Sequence, residues 1–545
     1  MQLTRAKLPA LPPAYSLFFR CALFLLIGAS LLRKLFDPDV WFHLVVGREV
    51  VRRMSIPDQE FYILPRLGEP GEFHEWGFGV FYYLIEHYSG YAGMAIVNAA
   101  FGCGILLCLL LAAEGSRKAG WWQVLPPLAL ALYAIEPRLN FRPETLLYLL
   151  LAAEIYLLEN YLAQRKLLWL LPLPAFCWLL IQCHPSAIFL IGVFGMYAAQ
   201  AVLGSAEKFK TAAVLGAVAL AMAGASALNP YGLHQLLMPF YTLANDELVN
   251  SVNEFLPVLD TVYAPQFVAV ALTGAVAILF SPKKRLVDFL LFFTFAVLAF
   301  RYARNIALLG IASYVFIGNA FSMWAERLAD SGARRTIATL LSVAIGLAGI
   351  VKVSGSPAWG VGIDDELNPQ QSARLLKRIE VRGNILNFFH LGSYLAWELE
   401  RPVFVDGKNY GTNKAVMLHD DAFMARQNLG SIIGSYNIRA IVTPATLAFS
   451  GEIIPLVATL AEDDDWVLIG QERAGMLFIR SRDSGEIPAL SKSVIWQKAI
   501  EELNDTIRSY PGNREAYRSL STAYGHAGDA ARQREFYEKY LALMK

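Results

Sequence analysis

Charge is scarce in this sequence. Asp, Glu, Lys and Arg make up 17% of its 545 residues, where a soluble globular chain carries about 25%. The 47 basic and 46 acidic residues nearly cancel, leaving a net charge of +1, so bulk electrostatic binding of nucleic acid is excluded. There are five cysteines (Cys21, Cys103, Cys108, Cys177 and Cys183), all in or beside apolar runs and in no zinc-binding spacing. They read as packing residues. No phosphate-binding Gly-rich loop followed by Lys, GxSxG elbow, HExxH or CxxC pattern occurs.

Apolar residues fill the space that charge leaves. They make up 56% of the chain, and a membrane helix needs about 20 mainly apolar residues. Candidate spans are 16–35, 91–113, 121–136, 145–162, 167–182, 186–203, 211–228, 265–281, 286–301, 304–323 and 336–353, which gives about 11 transmembrane helices. The first apolar run lacks a small-residue cleavage site, so no cleavable signal peptide is expected. Basic residues recur at alternate loops: Arg5 and Lys7, Arg117 and Lys118, Arg165 and Lys166, Lys208 and Lys210, Lys283 to Arg285, then Arg327, Arg334 and Arg335. The positive-inside rule makes that side cytoplasmic. All eight histidines then fall on the outer side, and everything after about residue 355 lies outside the cytoplasm. The N-terminus is expected in the cytoplasm, and the membrane to be the inner (cytoplasmic) one.

Residues 1–354 thus read as a transmembrane domain with a first outer loop at 37–90. Short apolar runs in 355–485, at Asn384–Asn387, Pro402–Val405, Ala440–Thr443, Trp466–Ile469 and Met476–Ile479, predict a small extracytoplasmic α/β domain. Residues 486–545 have the spacing of paired helices, with Ala499, Leu503, Pro511, Tyr517, Leu520, Tyr524, Gly528 and Tyr537 placed as in a tetratricopeptide repeat. This TPR-like segment is expected to be a helical appendage that docks either on the membrane part or on a protein partner.

Four constellations carry candidate chemistry. The first outer loop opens with Asp37-Pro-Asp39-Val-Trp-Phe-His43, and Pro38 is expected to break the first helix there. Asp37 and Asp39 suit either a divalent cation or deprotonation of a hydroxyl acceptor, and the plainer alternative is a capped, solvated acidic turn. The same loop closes on Phe73-His74-Glu75-Trp76, so His74 and Glu75 add two groups able to bind Mg or Mn with the aspartates or to orient an acceptor. Trp76 as interfacial belt with Glu75 as helix cap is the plainer alternative. The aromatic stretch from Phe78 to Tyr83 predicts an interfacial helix. Arg138, Arg142, Arg301 and Arg304 lie at outer helix ends, against the positive-inside trend. A lipid phosphate accounts for them because the guanidinium fork matches its oxygens; pairing with Glu136, Glu144 or lipid headgroups is the alternative. His184, Asn229, Tyr231 and His234 recur on the same side and are read as lining a shared cavity. Asp246 and Glu254 belong to a long outer stretch, 229–264, able to fold over it. The Asp406-Gly407-Lys408 turn reads as structural.

With these motifs on the page, the sequence resembles the GT-C superfamily of polytopic glycosyltransferases, which includes protein mannosyltransferases and lipid A aminoarabinose transferases. It is more closely similar to a largely uncharacterised bacterial group. That group shares Asp37 to His43, His74 to Trp76, Arg142-Pro143, Asn229 to Gly232, Gly392 to Leu395 and Val403 to Gly407. The resemblance spans about residues 15–445. It implies a polyprenyl-phosphate sugar as donor and inverting transfer to an extracytoplasmic acceptor, and it leaves open whether that acceptor is an envelope glycan, lipid or protein. It also implies that Asp37 or Asp39 acts as base or binds metal.

Two other readings stay open beside that one. An oligosaccharyltransferase or ligase would use a pyrophosphate-linked donor. A non-enzymatic scaffold in envelope glycan assembly would use the C-terminal parts to hold partners. A transporter is disfavoured because the cytoplasmic half of the expected spans carries few polar residues.

Overall fold

The structure is a computed structural model and describes residues 13–117, 121–245, 249, 253–281, 284–328, 356, 358–379, 381–408, 413–485 and 487–544. Arg5, Lys7, Lys118, Asp246, Lys283, Arg334, Arg335 and the expected span 336–353 lie outside these residues. The chain divides into two units, one of residues 1–37 with 74–362 and one of 38–73 with 363–545. Residues 38–73, read from sequence as part of the first outer loop, thus pack with the C-terminal part of the chain.

In chain order, α1 (Pro13–Ser30) belongs to the first unit and α2 (Asp39–Arg53) to the second. The first unit continues with α3 (Trp76–Arg117), α4 (Trp121–Ile135), α5 (Glu144–Gln164), α6 (Leu173–Cys183), α7 (Ala187–Leu203) and α8 (Lys208–Ala227). It then adds α9 (Leu233–Leu243), α10 (Ala264–Phe280), α11 (Leu286–Arg301) and α12 (Ile306–Leu328). Ten of the eleven expected spans coincide with these helices, and the eleventh is outside the described residues. Trp76–Ala113, Glu144–Gln164, Lys208–Ala227 and Ala303–Trp324 are long and apolar enough to cross a membrane, and three shorter apolar helices accompany them.

Prolines and one glycine set the helix boundaries. The helix expected over 16–35 ends at Ser30, and Pro38 is instead the N-cap of α2. A proline there is tolerated because the first helical N–H groups have no intrahelical partner. Pro172 splits the span expected at 167–182 into a short 3₁₀ turn and α6. The interfacial helix expected after Trp76 runs into the next span, with a kink at Gly90, whose φ of 62° suits glycine.

The first unit's core is a continuous apolar cluster. It includes Ile105 and Leu109 of α3, Leu151 and Ile155 of α5, Leu180 and Ile181 of α6, Phe194 and Tyr197 of α7, and Leu309 and Tyr314 of α12. The half of this unit farther from Glu144 was expected to be nearly bare of polar groups, and it is not. Glu159 lies 15 residues along α5 from Glu144, about 22 Å at 1.5 Å per residue. It accepts from Arg285 at 2.8 and 2.9 Å and from the Tyr197 hydroxyl at 2.8 Å. Arg285 also donates to Asp288 at 2.9 and 3.0 Å, so this basic residue ties α5, α7 and α11 together as well as marking a loop.

In the second unit, α13 (Gln370–Ile379), α14 (Gly392–Leu399), α15 (Lys414–Phe423), α16 (Leu429–Ser435) and α17 (Pro455–Glu462) surround a four-stranded sheet. The strands are β1 (Asn384–Asn387), β2 (Ile438–Thr443), β5 (Trp466–Glu472) and β6 (Gly475–Arg480), in the order β1-β2-β6-β5. A two-stranded ribbon pairs β3 (Thr446–Leu447) with β4 (Glu452–Ile453). Only β1 and β2 are parallel. Of the five expected strands, Pro402–Val405 forms no strand in this sheet. Val403 bridges instead to Ile63, a partner no local pattern announces. Three helices, α18 (Ser493–Ser509), α19 (Arg514–His526) and α20 (Ala530–Ala542), close the chain. Leu503, Leu520 and Tyr524 from these helices join the sheet's own apolar core.

Residues 38–73 are bound into this second unit by specific polar contacts. The Trp41 indole donates to Asn368 at 2.6 Å, Arg48 donates to the Trp397 carbonyl at 2.9 Å, and Tyr62 donates to Asp406 at 2.5 Å.

Candidate active site

The segment leading to Asp37 is held in place by the backbone. Lys34 and Leu35 donate to the carbonyls of Ala358 and Gly362, and Arg33 bridges Trp359 in antiparallel fashion. Arg33 also forms an ion pair with Glu136, the first residue of the 3₁₀ turn Glu136–Arg138 that follows α4. Pro143 then starts α5, placing Arg142 just before the helix and Glu144 in its first turn, where a negative charge meets the helix dipole favourably. Arg304 lies in the 3₁₀ turn Ala303–Asn305 between α11 and α12, and Glu254 in the turn Asn253–Phe255.

These turns converge on one alternating chain of charge. Asp37 accepts from Arg142 Nε at 2.5 Å and from its Nη2 at 3.1 Å. Arg142 Nη1 donates to Glu254 Oε1 at 2.6 Å. Arg138 donates to the same Oε1 at 2.9 Å and to Oε2 at 3.3 Å. Arg138 approaches Glu144 at 4.0 Å, and Arg304 donates to Glu144 at 2.7 Å. The order is therefore Asp37, Arg142, Glu254, Arg138, Glu144, Arg304, three carboxylates alternating with three guanidiniums. The chain is largely out of water: Asp37 is 3% exposed and Arg138 6%. Buried charges persist only when paired in this way. Burial pushes the Glu254 carboxyl up, but Arg138 and then Arg142 beside it outweigh that and hold it at about 2.

Beside this chain lies a row of His74, Glu75 and His184. Glu75 Oε1 is 3.8 Å from Nε2 of each histidine. His184 caps the C-terminus of α6 in an extended conformation, and burial chiefly pulls its imidazole down to about 4. Glu144 opposes that shift and Arg304 adds to it. His184 is therefore neutral near pH 7. Gln235, fully buried on α9, donates to the His74 carbonyl at 2.9 Å and to the Ile181 carbonyl at 2.5 Å. It links α9, α6 and the start of α3, and no motif in the sequence singles it out.

The other residues singled out from sequence are placed as follows. Arg301 is exposed, its guanidinium 5.9 Å from the centre of the Tyr302 ring, and stands outside the alternating chain. Asn229 builds the local turn, donating to the Ser226 and Gly232 carbonyls and accepting from the Tyr231 N–H. His234 is exposed and stacks on Tyr241 at 5.4 Å. Asp39 and His43 belong to the second unit. There His43 is buried against Phe42, and Gly407 packs beside the Asp39 carboxylate. Asp406, expected as part of a structural turn, is fully buried and accepts from Tyr62, from Ser393 at 3.3 Å and from the Lys408 N–H at 3.2 Å. Among the described residues no three His, Cys, Asp or Glu side chains are grouped to hold a metal ion, and Asp37 meets a guanidinium rather than other carboxylates.

The first unit is a bundle of apolar helices and the second bears a small sheet, and two solved structures are similar in fold. The archaeal oligosaccharyltransferase AglB from Archaeoglobus fulgidus, solved with an inhibitory peptide and a dolichol-phosphate, is similar over 97% of this chain and 86% of its own. The TM-score is 0.60 at 11% sequence identity. The Archaeoglobus fulgidus oligosaccharyltransferase in complex with Zn and sulfate gives a TM-score of 0.57 over 92% of this chain and 83% of its own, also at 11% identity. At this identity the likeness establishes the fold alone. No protein-family model matches the sequence, and no curated protein does.

Proposed function

We propose that this protein is a membrane glycosyltransferase that moves a sugar from a polyprenyl-phosphate-linked donor to an acceptor outside the cytoplasm. The observation that carries the proposal is the alternating Arg–carboxylate chain ending on Asp37, set at helix ends in a GT-C-like fold. Guanidinium forks suit phosphate oxygens, and in a low-dielectric site their fixed charges stabilise a departing phosphate strongly.

In the proposed reaction the acceptor hydroxyl oxygen bonds to the anomeric carbon as the bond from that carbon to the phosphate oxygen breaks, with inversion. The hydroxyl proton passes to Asp37 or Asp39, and polyprenyl phosphate leaves toward Arg138, Arg142 and Arg304. A divalent-cation requirement belongs to the proposal as a separate element, to be tested by chelation. So do an inner-membrane location with a cytoplasmic N-terminus, and a TPR-like role of α18 to α20 in holding a protein partner.

The test is transfer from a radiolabelled polyprenyl-phosphate sugar by the purified full-length protein. Asp37→Ala and Asp39→Ala, made separately, are expected to abolish or sharply reduce transfer while expression persists. Full activity in both variants refutes the assignment. Transfer from a pyrophosphate-linked oligosaccharide, with none from the monophosphate donor, would move the reading to an oligosaccharyltransferase.

A further inference from the structure

Two of the three arginines proposed to receive the donor phosphate, Arg138 and Arg142, are already occupied by Glu254. Arg138 presents Nη1 and Nη2 to the two oxygens of Glu254, and Arg142 presents Nη1 to one of them. A carboxylate held by a guanidinium fork, with a second guanidinium on the same oxygen, makes the contacts a phosphate would make in its place. Resting on the reading of Arg138 and Arg142 as the phosphate seat, we propose that Glu254 is a resident anion that fills this seat in the free protein and is displaced by the donor phosphate.

Three observations favour Glu254 as the exchangeable group. First, its side chain is 24% exposed, against 3% for Asp37 and 11% for Glu144, so it alone among the three carboxylates has a substantial route to solvent. Second, its neighbour Phe255 is buried, with Arg304 5.0 Å from its ring centre and Tyr302 packed edge-on against it. The backbone at this turn is therefore anchored, and the exchange requires only that the Glu254 side chain rotate to another rotamer. Third, the charge count closes. Among these six residues the three guanidiniums balance the three carboxylates; withdrawing Glu254 leaves the six one positive charge in excess. A phosphodiester monoanion, the form of a sugar joined to a lipid through one phosphate, restores the balance. With neither anion in place, the buried Arg138 would face desolvation with less compensation, which explains why a carboxylate is kept there.

The exchange makes Glu254 a competitor of the ligand, so removing its charge should strengthen phosphate binding. A residue that merely supports the site would do the opposite. The experiment titrates full-length protein in detergent with a polyprenyl phosphate, read by tryptophan fluorescence, with the uncharged polyprenol as control. Glu254→Gln is expected to bind polyprenyl phosphate about tenfold or more tightly than the unaltered protein, with polyprenol binding unchanged. Glu254→Asp keeps the charge on a shorter stem that reaches the two guanidiniums less well, so it is expected to fall between them. It serves as the readout if Glu254→Gln does not fold. If the unaltered protein prefers polyprenyl phosphate to polyprenol but the variants bind it equally or more weakly, the displacement is wrong and the phosphate seat stands. If no form of the protein prefers polyprenyl phosphate to polyprenol, the seat and the displacement fall together.

Discussion

Replacing Arg138 with Met tests whether the buried charge chain is a real energetic unit. Arg138 is 6% exposed and supplies two hydrogen bonds to Glu254. Methionine keeps much of the apolar stem but removes the charge, leaving Glu254 with Arg142 and Glu144 with Arg304. The fall of the Glu254 carboxyl from 4.5 to about 2 corresponds to about 3 kcal/mol of preference for its ionised form. Breaking a buried pair on one side costs about 3–5 kcal/mol. Because Arg142 still holds one oxygen, the expected loss lies at or just below the low end of that range, about 2–3 kcal/mol. The assay is unfolding of the purified protein by SDS titration in mixed micelles. Adding Glu254→Met in the Arg138→Met background should recover part of the loss, because the orphaned charge goes with it, and the double-mutant cycle measures that coupling. A single-variant loss below about 1 kcal/mol, or no recovery in the double variant, would show the pair to be no stronger than a surface contact.

Two further perturbations probe the neighbouring residues. His184 sits at about 4 in the folded protein against an ordinary 6.5, so the folded state favours its neutral form. That contribution is complete above pH 6.5 and is lost as the pH falls from 6.5 toward 4, because the unfolded chain takes up the proton first. The pH profile of thermal unfolding is therefore expected to fall through that window and to flatten in His184→Gln; an unchanged slope refutes the assignment. Gly77→Ala would place a methyl group 2.7 Å from the Gln182 carbonyl oxygen, and the backbone shift this forces is expected to cost about 1–3 kcal/mol. The contrast is Gly192→Ala in α7, where nothing lies within 4 Å. It is expected to be neutral or slightly stabilising in the same unfolding assay, and equal effects of the two substitutions would overturn the close-approach argument.

Much of the first unit was legible in the sequence because membrane helices are written in composition. A segment that must satisfy its backbone internally and face hydrocarbon needs a long apolar run. Ten expected spans accordingly coincide with helices. Proline was informative but ambiguous. At Pro143 it opens α5 as its Arg-Pro motif suggested, whereas at Pro38 it starts α2 instead of breaking α1. In the second unit, β1, β2, β5 and β6 were visible as short apolar runs, while Val403 looked like a strand residue and forms only one bridge. The alternation that marks a strand does not name its partner.

The charged residues show most clearly where the sequence stops. It placed Arg138, Arg142 and Arg304 at helix ends and Asp37 in the first outer loop, and it named Glu144 as a pairing alternative. Those positions follow from local signals: apolar runs, prolines and anomalous basic residues. Glu254 was only one acid in a long polar stretch, and Arg301 looked equivalent to Arg304. Tertiary structure separates them. Glu254 reaches Arg138 across 116 residues of sequence, while Arg301 points to the surface three residues from Arg304. The sequence determined that the first unit is built of long apolar helices with charged groups gathered at their ends. Only the fold decided which charges meet, because an ion pair depends on distance in space, and no local pattern records which distant turns the packing of α4, α5, α11 and α12 brings together.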